Sequence, residues 1–528
     1  MSDLNPTEIY RRYQCKELDK AAAIDYLKSF IENSSDEDLR VRSIELLSEM
    51  NLDVDKFFEF FEHLVTSDLN EEIRLTAAKV IINNFLEEGE NLLKWIFKHE
   101  QSSDCLLEIY DALSSRESAL VKDLLVLMEE TIGMNYLIHY DLLPKEAMTL
   151  ELLGRHLCKL YVFLDLKKWI FRNLKIKNQR VVSIEIDKLY NSINSKFFSL
   201  FSGLQELKLT DCKLNDAFYL SGITRLMISG TEEGQLGSID DIKGFENLKN
   251  LRNLDLSINY ISEITKLENL TNLVNLDLSQ NDISEIKGLE TLESLEVLNL
   301  ERNNIREIKN LENLVSLRGL NLSDNKEIPE IKGLRKLKNL EVLRLFNNYM
   351  INEIKELEGL KNLRILDISK DSAMIDFDVI KEFLTWISPF RDGIDVKEII
   401  KNQKIINERY DEYRNNLEKN RDYIKEIKGL DKLTNLEDLF LEGNSITEIK
   451  GLEKLKNLKI LNLSSNKITE IKGLENLKKL KTLRLVDNNI IPIKGLEGLE
   501  NDLGVYEPQK FVDYCLKKKN NELFKKFR

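Results

Sequence analysis

The side chains of this chain that are able to do acid–base, nucleophilic or metal chemistry are few and scattered. Its four histidines, His63, His99, His139 and His156, all fall in the first third of the 528 residues, and its five cysteines stand at 15, 105, 158, 212 and 515. His156-Leu-Cys158 comes closest to a ligand pair. A zinc site needs three or four such ligands, and a Cys–His nucleophile needs an acid to orient the imidazole. The flanking sequence supplies neither, so helix packing is the expected role. No Cys-x-x-Cys pair, phosphate-binding glycine loop, Gly-x-Ser-x-Gly elbow, His-Glu-x-x-His helix or calcium loop occurs. The sequence thus predicts no catalytic residues, no cofactor and no metal, and a protein that is not an enzyme. Five unpaired, dispersed cysteines rule out a disulfide framework and point to a reducing compartment.

Charge narrows the classes further. Lys and Arg number 77 against 91 Asp and Glu, a formal net charge of −14, which argues against a nucleic-acid partner. Residues 1–150 carry 16 more acidic than basic groups, leaving the remainder near neutral. With 6 Pro and 21 Gly the chain is neither collagen-like nor Pro/Gly-rich and disordered. No window of about 18 residues is free of charge, so no membrane span is expected. The first residues lack a basic stretch followed by an apolar one, and the expected location is cytoplasmic.

The elements that position the side chains are set by a repeat. Leu273-VN-Leu276-D-Leu278-SQ-Asn281-D-Ile283-SE-Ile286-KG-Leu289 is matched by residues 295–311 and again by 458–474. The Asn of this pattern recurs at 259, 281, 303, 325 and 348, then at 444, 466 and 488, with Cys212, Thr231 and Asp371 at the same place in weaker copies. Counting irregular copies and Ile184-Glu-Ile186, the spacing predicts about twelve turns. The two leucines of a short strand point inward and the alternate residues face outward, and a single copy cannot bury its leucines without a neighbour on each side. The Asn is expected to turn inward and both donate to and accept from backbone of adjacent turns, with a weakened step at Asp371, which accepts only. The Gly at 288, 333, 429, 451, 473 and 495, replaced once by Asn310, predicts a fixed left-handed turn.

These residues resemble the 22-residue class of leucine-rich repeats found in a nuclear protein-phosphatase regulatory subunit and in bacterial internalins, over about residues 181–500. The resemblance implies a curved solenoid used for binding. Before it, Asp38-LR-Val41-Arg42 and Glu71-E-Ile73-Arg74 lie 32 residues apart, and Cys105-LLEIYDALSS follows Ile73 at the same spacing. Over residues 17–132 this resembles HEAT repeats, with a plain helical bundle as the alternative. The resemblance implies roles in linking neighbouring helices for Asp38, Arg42 and Arg74.

The predicted fold class is α+β: an α-helical, HEAT-like domain (1–175), a first block of leucine-rich repeats (176–371), a helical hairpin inserted within one repeat (372–423), a second block (424–500), and a C-terminal cap with a basic tail (501–528) that is able to contact an acidic surface. Packing does not dictate the residues facing outward from the strands. Most are Asp, Asn, Ser or Thr, and the departures mark the expected partner-binding site: Arg344, Phe346, Asp367, Phe440, Glu442 and Arg484. The alternative is that the insertion itself covers Phe346 and Phe440. The function read from this pattern is a non-enzymatic scaffold or regulatory subunit that holds a protein partner of unknown identity on the concave face. The second reading is an effector or defence protein with a cryptic activity in the N-terminal helical domain. Some bacterial leucine-rich effectors join their repeats to a ubiquitin ligase with a reactive cysteine, for which Cys15, Cys105 and Cys158 are the candidates.

Overall fold

The computed structural model describes residues 5–50, 54–158, 174–187, 192–193, 195–230, 235–370 and 423–490, with positions 508, 512, 513 and 517. The insertion up to residue 422, Thr231, Asp371, Gly495, and the cap and tail apart from those last positions lie outside the described residues. The chain divides into two compact units, Met1–Ile184 with Lys196–Leu204, and Glu185–Ser195 with Gln205–Arg528.

In the first unit, short polar residues cap the helices. Asp19, Asp36, Asn70, Ser102 and Ser118 each accept a hydrogen bond from a backbone N–H of the first turn, which satisfies a group the helix leaves open. Helices Glu37–Ser48, Glu71–Asn84, Ser103–Ser114 and Pro144–Cys158 pack each on the next as one layer. Val54–Ser67 packs against Glu71–Asn84, and its Phe57, Phe61, Leu64 and Val65 are buried, as their spacing predicts.

Arginines tie successive layers together, but in a register shifted from the expected one. Arg74 grips Glu100 through two hydrogen bonds of 2.8 and 3.0 Å and donates to the carbonyls of Asp68 and Leu69. Arg40, not Arg42, plays the matching part. Its guanidinium binds Asp68 and the Ile31 carbonyl, and Asp68 rather than Asp38 supplies the acid. Arg42 pairs with Glu45 on its own helix. The 32-residue offset aligned Arg42 with Arg74, whereas Leu39-Arg40 is the true counterpart of Ile73-Arg74. Burial pushes the Glu100 carboxyl up, but Arg74 and the Ser102 amide outweigh it and hold its pKa below the ordinary value.

The second unit is a ladder of eleven parallel strands, from Glu206–Thr210 through Arg225–Ser229 and nine three-residue strands to Thr482–Arg484. The expected twelfth, at Ile184-Glu-Ile186, lies in Arg180–Asp187, which pairs antiparallel with Lys175–Lys177. The inward leucines, such as Leu276, Leu278, Leu298 and Leu300, have no solvent exposure. The turn glycines are left-handed, with Gly288 at φ +77°, and a Cβ there would stand 2.6 Å from the Ile264 carbonyl oxygen. Lys266, Asn310 and Glu356 make the same turn at φ 56° to 61°.

The Asn side chains hold the turns in register. Asn281 Nδ2 donates to Leu256 O of the preceding turn at 3.0 Å and to Leu278 O of its own at 3.1 Å, while Oδ1 accepts from Ile261 N at 3.0 Å. Asn303 and Asn466 repeat this geometry. Cys212, in the same place, donates its thiol to the carbonyls of Thr210 and Ile186. A second, exposed row of amides on the segments leading into the strands, including Asn272, Asn339, Asn362 and Asn457, donates to carbonyls of the turn before.

The stack continues across the insertion. Ile365–Asp367 pairs directly with Asp438–Phe440, setting Leu366 beside Leu439 and Asp367 beside Phe440. Asn444 donates to Ile368 O at 3.2 Å and accepts from Ile424 N at 3.1 Å, so Ile424 fills the place that Ile261 fills for Asn281. The residues just before each strand form a charge ladder, Glu296–Arg318–Glu341–Arg364–Glu437–Lys459, which crosses the insertion at Arg364–Glu437. A second ladder runs through the Glu-Ile-Lys segments, where Lys309, Lys332 and Lys472 each bridge the Glu of their own turn and that of the preceding turn.

Replacing Asn281 or Asn466 by Ala should lower the unfolding free energy by ~1–3 kcal/mol, because buried backbone groups on two turns lose their partners. Unchanged denaturant midpoints would contradict the ladder. The charge ladder gives a pH profile with a defined sign. Lysine partners hold the carboxyls of Glu285, Glu307, Glu330 and Glu448 below their ordinary value, so their stabilisation is present above the ordinary carboxylate range and is lost as pH falls through the lowered values. Lys309 and Lys332 are raised by their glutamates, and their contribution is lost as pH rises through the raised values. The melting temperature should fall at both ends of the range and fall less at about 1 M NaCl, which screens exposed pairs. A pH profile independent of salt would show that the ladder does not stabilise the fold.

Candidate functional site

The outward side chains of the strand ladder form three columns, and their chemistry varies along the ladder. From Asn253 to Ser323 the columns are mostly amides, carboxylates and hydroxyls that satisfy one another. Asn275 donates to Asn253 at 2.6 Å, Asn299 to Asp277 at 3.0 Å and Asn321 to Glu301 at 2.9 Å, while Asp255 and Asp277 accept from the backbone of Ser257 and Ser279. This polar lattice is buried and internally paired.

Apolar and basic groups enter this lattice at Val297, Val342, Arg344, Phe346, Ile365 and Phe440, while Asp367, Glu442, Asn462 and Ser464 keep its polar character. Parallel pairing sets Arg344, Asp367 and Phe440 side by side on three neighbouring strands. Arg344 Nε lies 3.5 Å from Asp367 Oδ2, and both side chains are mostly buried. Phe346 is half-buried two residues beyond Arg344. Phe440 is buried rather than exposed; at 5% exposure it packs with Val297, Val342 and Ile365, with Ile460 alongside. Glu442 is buried too and accepts from Asn462 Nδ2 at 3.0 Å. Arg484 lies apart from the group, two strands beyond Phe440, half-buried next to the exposed Val486.

Sequence reasoning followed two of the three columns and missed the apolar one. Val297, Val342, Ile365 and Ile460 each occupy the residue before the first inward leucine, where the N-terminal turns carry Asn253 and Asn275. That change from Asn to Val or Ile was the available signal. A buried ionic group on the residues just before the ladder Asn also went unread. Asn347 donates to Asp324 at 2.6 Å and Arg302 lies 3.5 Å away; burial raises the Asp324 pKa and Arg302 opposes it.

Of the candidate nucleophiles in the helical unit, Cys105 is placed for packing. Burial pushes the Cys105 thiol up to about 12, the opposite of an activated thiolate. The His156 ring packs tilted against Phe197, with centroids 4.6 Å apart and Nδ1 3.4 Å from Asp104. The Cys158 side chain lies outside the described residues; Cys15 is exposed. Among the described residues no three His, Cys, Asp or Glu side chains gather as metal ligands, and no helix is long and apolar enough to cross a membrane.

A family profile described as Leucine Rich repeats (2 copies) matches residues 456–501. No curated protein sequence matches the chain. Among solved structures, the internalin inlF of Listeria monocytogenes is 20% identical, covering 66% of this chain and 96% of its own, at a TM-score of 0.43. A leucine-rich-repeat protein of Leptospira interrogans is 25% identical over 57% of this chain and 71% of its own, at 0.41. The Listeria monocytogenes internalin C2 is 24% identical over 51% and 83%, at 0.32. The profile match places leucine-rich repeats at residues 456–501, and among the described residues the strand ladder with its Asn rungs repeats the same turn back to Glu206, in a chain whose N-terminal region is α-helical.

Proposed function

We propose that this chain is a non-enzymatic scaffold or regulatory subunit of the cytoplasm that holds a protein partner on the outward columns of its solenoid. The reading rests on one observation. Inward positions and charge ladders repeat with little change, while the outward columns vary most: a polar lattice of amides, carboxylates and hydroxyls is interrupted by Arg344, Phe346 and Phe440 beside the apolar column of Val297, Val342, Ile365 and Ile460. Arg344 and Phe346 are the anchors on this reading, since Arg and aromatic residues supply most hot-spot energy at interfaces. Asp367 orients the Arg344 guanidinium, and Phe440 with the apolar column supplies the floor beneath. Glu442 and Arg484 extend the surface toward the C-terminal turns. The cytoplasmic assignment rests on the scattered, unpaired cysteines. The second reading, an effector activity in the helical unit, draws no support from Cys105.

A partner recovered from the native cell and then purified should bind the Arg344→Ala and Phe346→Ala variants at least about tenfold more weakly in calorimetric titration, with the thermal midpoint of the Phe346→Ala variant unmoved. Full affinity in both would end this reading. Phe440→Ala should behave differently, lowering the unfolding free energy by ~3–5 kcal/mol as a buried aromatic does. A change below about 0.5 kcal/mol would mark Phe440 as a surface residue.

A further inference from the structure

Six of the ladder's rungs share one contact that the rung at Asn348 does not make. In the 22-residue turns the isoleucine two places after the ladder Asn presents its amide to the Oδ1 of the next Asn. Ile261, Ile283, Ile305, Ile446 and Ile468 all do so, at 2.9 to 3.0 Å, and Ile424, where the turn resumes after residue 422, makes the same contact to Asn444 at 3.1 Å. The turns that begin at Asn325 and Asn348 hold one residue more. Asn325-Lys-Glu-Ile328 and Asn348-Tyr-Met-Ile351 place the isoleucine three after the Asn, and the extra residue swings its amide away from the next turn. Ile328 N and Ile351 N instead donate back to their own Asn325 O and Asn348 O, at a longer 3.3 Å. The consequence falls on Asn348. Its side chain is fully buried, its Nδ2 keeps both carbonyl partners, and its Oδ1 has none. One of the bonds that tie the Asn325 turn to the Asn348 turn is therefore missing, replaced by a bond within one turn, while Asn348 Nδ2–Leu322 O, Asn347–Asp324 and the strand pairing remain.

We infer that the solenoid contains a built-in seam between the turn of Asn325 and the turn of Asn348, at which neighbouring strands part before any others do. A repeat array loses stability where a nearest-neighbour interface is weakest. The Asn348 turn carries Arg344 and Phe346 on its strand, so opening the seam moves those two side chains relative to Asn321 while turns to either side stay stacked. On the far side the seam is bounded. The buried Lys370 ammonium donates to Asn348 O, and this clasp ties the Asn348 turn to the one that follows it. The seam stands whether or not the outward columns bind a partner.

Native-state hydrogen exchange on the full chain, resolved at single amides, tests it. Ile328 N should exchange about tenfold or more faster than Ile305 N and Ile446 N, because its bond no longer spans two turns. Equal protection at Ile328 and Ile305 would overturn the inference. A second arm deletes Glu327, which leaves Asn-Lys-Ile, the spelling found at Asn466-Lys467-Ile468. Protection at Ile328 should then rise to that of Ile305. A folded deletion variant in which Ile328 stays fast would also overturn it, since the missing rung would not be the cause. If the deletion variant does not fold, the wild-type comparison decides.

Discussion

One buried amide per turn is the interaction on which the rest of the solenoid depends. A strand of three residues with two inward leucines has too little surface to hold itself, and its carbonyls would be buried unpaired if the next turn were out of step. Asn solves both problems because its side chain donates and accepts at once. It closes its own turn, reaches back to a carbonyl of the one before, and receives an amide from that same turn. Leucine burial then follows from the register. Since these bonds join neighbours in space, sequence distance is immaterial: Asn444 reaches Ile368 across 76 positions with the contacts that Asn281 makes across 25.

Electrostatics reinforces the register without marking a site. The ladder just before the strands alternates sign turn by turn, so a slip by one turn would set like charges together, whereas the Glu-Ile-Lys ladder carries both signs on each turn. Exposed pairs of this kind contribute little individually. Their consequence is that the segments flanking the strands are balanced in charge, and the outward columns are left as the surface where chemistry differs from turn to turn.

Most of the solenoid was legible because its physics is periodic. Leucine spacing, the inward Asn, the left-handed glycines and the resumption of the turn at Ile424 each follow from residue type and position alone. What was not legible depends on a third dimension. Phe440 looks like an exposed aromatic in a list of outward residues, but Val342 and Ile365 on the adjoining strands enclose it. Arg40 and Arg42 differ by two residues on one helix and therefore point to different faces, and only packing tells which one meets Asp68. The exposed amide row recurs directly before a leucine, at Asn250, Asn272, Asn339, Asn362, Asn435 and Asn457, but an exposed Asn there reads as ordinary polar surface until the carbonyl it meets on the preceding turn is known. The weakened rung expected at Asp371 lies outside the described residues, and the rung at Asn348 was not legible because it comes from an extra residue that changes spacing and leaves the Asn intact.

The central claim is that a single ladder runs unbroken past the insertion. Its most direct test is amide exchange at Ile368, whose N–H donates to Phe440 O at 3.0 Å across that point, in a variant with residues 373–422 replaced by a short Gly/Ser linker. The account predicts that this variant folds and that the Ile368 amide keeps the protection it has in the intact chain. Free exchange at Ile368 in a variant whose Asn281 and Asn466 turns remain protected would contradict it, and would mean that the two blocks of repeats are separate solenoids.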